Sequence, residues 1–149
     1  MSRTSNLCTH VMIGVPRELV WLALTSPEII KRYLPSSIFS TSWRPGEPIV
    51  RTGSQGGPTY RDKGIVLKYN PPRELSYSYW PSRSGLADLP ENYQQLTFLL
   101  EEQGEVTYLK CSIENAGEEE MSAIVMQDWK MNLARLKILL EDSTELSAY

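Results

Sequence analysis

Apolar and polar positions follow two periods along this chain, and the changes of period mark out its elements. Cys8 to Val15 is rich in β-branched and other apolar side chains and stops at Pro16, which predicts a strand ending at a helix entry. From Arg17 to Leu24 the residues Leu19, Val20, Ala23 and Leu24 recur at helical spacing. Thr25 or Ser26 can then cap a second short helix, with Pro27 at its first position, where the missing N–H is no loss. After Pro35, Ser37 to Trp43 and Glu47 to Thr52 predict a hairpin across the Arg44-Pro45-Gly46 turn. Gly53 to Pro58 reads as a mobile loop.

Lys63 to Tyr69 and Glu74 to Trp80 predict a second hairpin. Pro71 and Pro72 cannot donate ladder hydrogen bonds, so Asn70-Pro71-Pro72-Arg73 is its turn. In the second arm Leu75, Tyr77 and Tyr79 share one face and Ser76 and Ser78 the other, the alternation of a half-buried strand. A loop from Pro81 to Glu91 leads to a third hairpin, Tyr93 to Glu102 and Glu105 to Glu114, in which Leu96, Phe98 and Leu100 alternate with Thr97, Leu99 and Glu101. From Glu118 to about Glu141 the period changes for the last time. Met121, Val125, Trp129, Leu133, Leu136 and Leu140 form one stripe of a helix roughly 36 Å long. The opening run Glu118 to Glu120 suits the positive end of its dipole, and the polar tail Ser143 to Tyr149 is expected to fray.

This order predicts an α+β fold in which a curved antiparallel sheet of about six to seven strands wraps around the long C-terminal helix. One domain over residues 1–149 is expected, with an ordered core of about 6–142. A twisted sheet cannot meet a straight helix along its whole length, so an apolar cavity is expected between them, closed at one end by the two short helices.

With 41% apolar and 22% charged residues the chain has the balance of a packed protein, and a net charge of -3 gives no attraction to nucleic acid. No stretch reads as a secretory signal or a membrane span, so a cytoplasmic location is expected. Two cysteines, Cys8 and Cys111, and one histidine, His10, are too few for a disulfide scaffold or a metal site. No cofactor and no catalytic motif is read. His10 has the chemistry of a proton shuttle but no carboxylate or nucleophile beside it.

The segments VPRELVWLALTSPEIIKRYL, SWRPGEPIV, GIVLKYNPPRELSYSY and DWKMNLARLKILLE, in that order over about nine-tenths of the chain, resemble the START-like or SRPBCC superfamily. Within it they resemble bacterial homologues of the activator of the 90-kDa heat-shock protein ATPase. The resemblance implies a helix-grip (START/Bet v-like) fold with a hydrophobic cavity between sheet and C-terminal helix. It also implies that the first and last strands are neighbours; Cys8 and Cys111 both sit in apolar, alternating strands, which leaves room for them to meet in the core, and both are expected to be reduced. Two departures fall where the family often has tryptophan: Tyr33 or Leu34 stands at one position, and Tyr79, with Trp80 following, at the other.

The candidate cavity-lining residues are Trp43, Tyr77, Tyr79, Trp80, Phe98, Val125, Trp129 and Leu133. Each has a packing alternative. Trp129 and Trp21, aromatics at helical spacing, read first as core, whereas a buried tyrosine hydroxyl needs a partner and can orient a ligand. The leading expectation is a domain that binds an apolar, aromatic or lipid-like small molecule. Its rivals are a metal-independent cyclase or hydratase using a pocket Tyr or His, and a stress-related domain acting on a heat-shock chaperone.

Overall fold

The structure, a computed structural model, describes residues 6–34, 37–54 and 59–142. Most of the loop expected over Gly53 to Pro58 and the tail Ser143 to Tyr149 lie outside them, as does Pro35. The elements run β1 (Leu7–Ile13), α1 (Arg17–Thr25), α2 (Pro27–Tyr33), β2 (Ser37–Thr41), β3 (Pro48–Gly53), β4 (Tyr60–Asn70), β5 (Glu74–Tyr79), β6 (Gln94–Gln103), β7 (Val106–Glu114) and α3 (Glu119–Asp142). All seven strands join one antiparallel sheet in the order β1-β7-β6-β5-β4-β3-β2. This is the helix-grip α+β fold. No helix among the described residues is long and apolar enough to cross a membrane.

Alternation decides which face each strand turns to α3. Leu75 and Tyr77 of β5, Leu96, Phe98 and Leu100 of β6, and Leu109, Cys111 and Ile113 of β7 are buried on the concave face. β1 pairs with β7, with Cys8 opposite Ser112 and Thr9 opposite Cys111. That register keeps the two cysteines from meeting in the core. Cys8 shares the outward face with His10 and Met12 and is exposed, Cys111 is buried, and both thiols are free.

Among the boundaries that differ from those expected, two bear on the site. β4 begins at Tyr60 rather than Lys63, and Trp43 lies beyond the end of β2, in a left-handed conformation with φ of 60°. At Gly64 a Cβ would sit 1.7 Å from the Ser78 carbonyl oxygen, so β4 and β5 approach closely there only because the side chain is missing.

α3 packs against β1, α1 and α2. Leu133, Leu136 and Leu140 supply its buried stripe. The end of the helix is tied to β1 by polar contacts. Glu141 Oε2 accepts the Gly14 N–H at 2.6 Å, and Lys137 Nζ donates to the Met12 carbonyl at 2.6 Å and pairs with Glu141 at 2.7 Å.

Candidate functional site

The strands far from β1 carry polar groups on their concave face. On β3 the inward positions are Ile49 and then Arg51; on β4 they are Tyr60, Asp62, Gly64 and Val66. Register sets Phe39, Arg51 and Asp62 abreast, with Phe39 opposite Arg51 and Arg51 opposite Asp62. The first half of α3 passes above this row. Its residues Met121, Val125, Asp128 and Trp129 face Arg51, Asp62, Tyr79, Gln94 and Leu96 across a cleft of about 970 Å³, which lies within the usual range for small-molecule sites. The cleft is open to solvent and its wall is mixed, apolar on Phe39, Leu96 and Val125 and charged at the sheet end. The helix meets the sheet here through one ring contact, Trp129 edge-on to Phe98 at 5.5 Å between centroids.

The polar groups form a connected network. Asp62 Oδ2 accepts the Tyr79 hydroxyl, while Oδ1 accepts the Ser82 N–H at 2.7 Å and the Ser82 hydroxyl at 2.6 Å. Arg51 donates from Nε at 3.1 Å and Nη2 at 2.9 Å to the one Ser37 Oγ, and from Nη1 to the Tyr79 hydroxyl at 3.3 Å. Its guanidinium lies 5.6 Å from the Phe39 ring centroid and 5.9 Å from that of Tyr60, and Arg83 stacks on Tyr60 from 3.8 Å. Burial pushes the Tyr79 hydroxyl well above its ordinary pKa; the nearby Arg51 charge opposes this and Asp62 reinforces it. Tyr79 therefore keeps the proton it donates to Asp62 at neutral pH.

Of the eight candidate residues, Tyr77, Tyr79, Val125 and Trp129 line the cleft. The others lie elsewhere. Phe98 and Leu133 are core residues, 2% and 3% exposed. Trp43 stacks on Tyr69, contacts Tyr77, and donates its indole N–H to the Thr25 carbonyl at 2.8 Å, so it joins the sheet to α1. Trp80 donates to the Leu86 carbonyl at 3.3 Å and lies under Lys63. His10 stacks on Tyr108 at 5.2 Å on the outward face of β1 and β7, across the sheet from the cleft. The sequence reading missed Arg51, Asp62, Gln94 and Arg83. A signal for two of them was present, since Arg51 shares the parity of Ile49, and Asp62 that of Tyr60 and Val66. Among the described residues no three His, Cys, Asp or Glu side chains are grouped to hold a metal ion.

Comparison with known proteins places this geometry. The family model described as Activator of Hsp90 ATPase homolog 1-like protein matches residues 14–141. No curated protein matches the chain. Among solved structures, ChR145 from Cytophaga hutchinsonii is 32% identical over 95% of this chain and 97% of its own, with a TM-score of 0.82. The Aha1 dimer from Colwellia psychrerythraea (21% identity, 92% and 96% covered, TM-score 0.75) shares the fold. So does CalU16 from Micromonospora echinospora (24% identity, 99% and 85% covered, TM-score 0.71). The seven-stranded grip, the long final helix and the family match over residues 14–141 agree: this chain belongs to the Activator of Hsp90 ATPase homolog 1-like family of START-like domains.

Proposed function

We propose that this chain is a small-molecule binding domain whose guest occupies the cleft between the first half of α3 and strands β3 to β6. One observation carries the reading: Met121, Val125 and Trp129 span the trough instead of filling it, leaving about 970 Å³. A guest with an apolar or aromatic body gains roughly 25 cal/mol for each Å² of apolar surface it buries there, before ordering costs. The mixed wall favours an amphipathic guest over a purely apolar one. A thermal-shift screen of fatty acids, flavonoids and other aromatics tests this. Stabilisation that disappears in Trp129→Ala is the expected result, and no shift with any of them rejects it. Saturable binding to a heat-shock chaperone without any ligand shift would put the activity in the family's description in its place.

A second reading rests on the Tyr79 hydroxyl, which is hydrogen-bonded to Asp62 and 3.3 Å from Arg51 at the cleft wall. A hydroxyl whose proton can pass to the neighbouring Asp62 carboxylate, with the Arg51 cation beside it to steady the phenolate left behind, suits metal-independent removal of a proton from a bound carbonyl compound. Under this reading Tyr79→Phe abolishes turnover and leaves ligand affinity within a few-fold. Equal loss of both would reduce Tyr79 to a binding group.

A further inference from the structure

The charged groups of the cleft are unequally satisfied. Asp62 has both carboxylate oxygens engaged, by Tyr79 on one side and Ser82 on the other. Arg51 has five N–H donors, three of which reach two neutral hydroxyl oxygens, with two on the single Ser37 Oγ. Among the described residues neither Arg51 nor Arg83 forms an ion pair, yet both guanidinium groups come to the same Tyr60 ring, at 5.9 and 3.8 Å. Arg83 is exposed and its charge is screened by solvent, whereas Arg51 is partly buried, so Arg51 is the cation that an anion in the cleft would meet. Asp128 and Arg135 also line the cleft but are exposed on α3 at its mouth, where solvent screens them. The partly buried charge left with donors to spare at the sheet end is therefore Arg51, and apolar surface lies along Leu96, Val125 and Trp129.

We infer that the guest is an amphipathic carboxylate, its head seated on the Arg51 guanidinium beside Arg83 and its aromatic or aliphatic body lying against Leu96, Val125 and Trp129. A planar guanidinium with spare donors matches the two oxygens of a carboxylate, and it keeps its charge at any physiological pH. Tyr79, whose proton goes to Asp62, offers Arg51 only a lone pair and does not satisfy the fork. The inference rests on the binding reading above and specifies the chemistry of its ligand.

The test compares matched acids and neutral analogues on the full chain: 2-naphthoate against 2-naphthamide, and decanoate against decanol, followed by tryptophan fluorescence and thermal shift. At least one acid is expected to bind about tenfold or more tighter than its neutral partner. In Arg51→Gln that preference vanishes while affinity for the neutral compound is retained, and Arg83→Gln reduces it less. Equal affinity of acid and neutral partner, or a preference that survives Arg51→Gln, overturns the inference and leaves the binding reading standing. Absence of binding by all four compounds counts against both. Should Arg51→Gln fail to fold, Arg51→Lys decides: a cation without the planar fork must weaken the preference for the acid, and a preference unchanged in Arg51→Lys overturns the role of Arg51.

Discussion

The two halves of α3 carry the same apolar repeat and have different fates. In the second half Leu133, Leu136 and Leu140 are buried, Leu136 completely, and Lys137 and Glu141 tie the helix to Met12 and Gly14. In the first half Met121, Val125 and Trp129 are only partly covered, and Ile124 is 60% exposed. The difference lies in what is beneath them. Under the second half lie β1 and the short helices, close enough for leucines to interdigitate. Under the first half lie β3 and β4, whose inward positions include Arg51 and Asp62, and covering the partly exposed Arg51 charge with leucine would cost its remaining hydration. One helix thus serves as core at one end and as the wall of a cleft at the other.

The sharpest way to break this comparison is a pair of truncations. Leu136→Ala leaves a hole in a closed core and is expected to lower unfolding free energy by about 2–5 kcal/mol. Val125→Ala, over the cleft, should cost about 1 kcal/mol or less. Urea denaturation of both variants checks it, and equal costs would mean that the first half of α3 packs as tightly as the second. Gly64→Ala examines the curved part of the sheet. Its Cβ would meet the Ser78 carbonyl at 1.7 Å, so a loss of about 1–3 kcal/mol is expected as β4 and β5 are pushed apart. A neutral result would show that the two strands can separate freely at the cleft floor.

Trp43→Phe sharpens the contrast between cleft and core aromatics. It removes the indole bond to the Thr25 carbonyl and should cost about 1 kcal/mol in denaturant midpoint experiments, with ligand affinity unchanged, because Trp43 is not in the cleft wall. The smallest effect concerns the tether at the packed end. The Glu141 carboxyl is held below its ordinary value of 4.5, first by its bond with Lys137 and then by the Gly14 N–H. A depressed folded-state pKa contributes stability above pH 4.5 that is lost as pH falls through the folded value. For so exposed a group the contribution is about 1 kcal/mol or less. Stability of Glu141→Gln against pH should therefore fall less steeply below pH 4.5 than that of the unaltered chain.

Much of the fold was legible because it is local. The Leu75, Tyr77, Tyr79 alternation, the Pro71-Pro72 turn and the stripe from Met121 to Leu140 each follow from backbone geometry a few residues long. The site was half legible. Tyr79 and Trp129 are visible as aromatics on inward faces, whereas Arg51 and Asp62 are not, because charged residues are expected outside and the sequence pattern begins the strand at Lys63, three residues beyond its true start at Tyr60. Trp43 and Trp80 stand at strand ends in the sequence, where a place on a pocket rim and simple hairpin packing are equally open, and the structure bonds each indole N–H to a backbone carbonyl outside the cleft wall.

The amino-acid order alone determined which elements form, their sequence and which side chains share a face, since periods of two and 3.6 residues are properties of the strand and helix backbones themselves. Only the tertiary structure decided how far each face stands from the one opposite. That distance accumulates from the twist of seven strands, from a close approach at Gly64 and from where α3 is anchored to β1, none of which is written in any single segment. It is why one apolar stripe closes a core at Leu136 and leaves a cleft beneath Trp129.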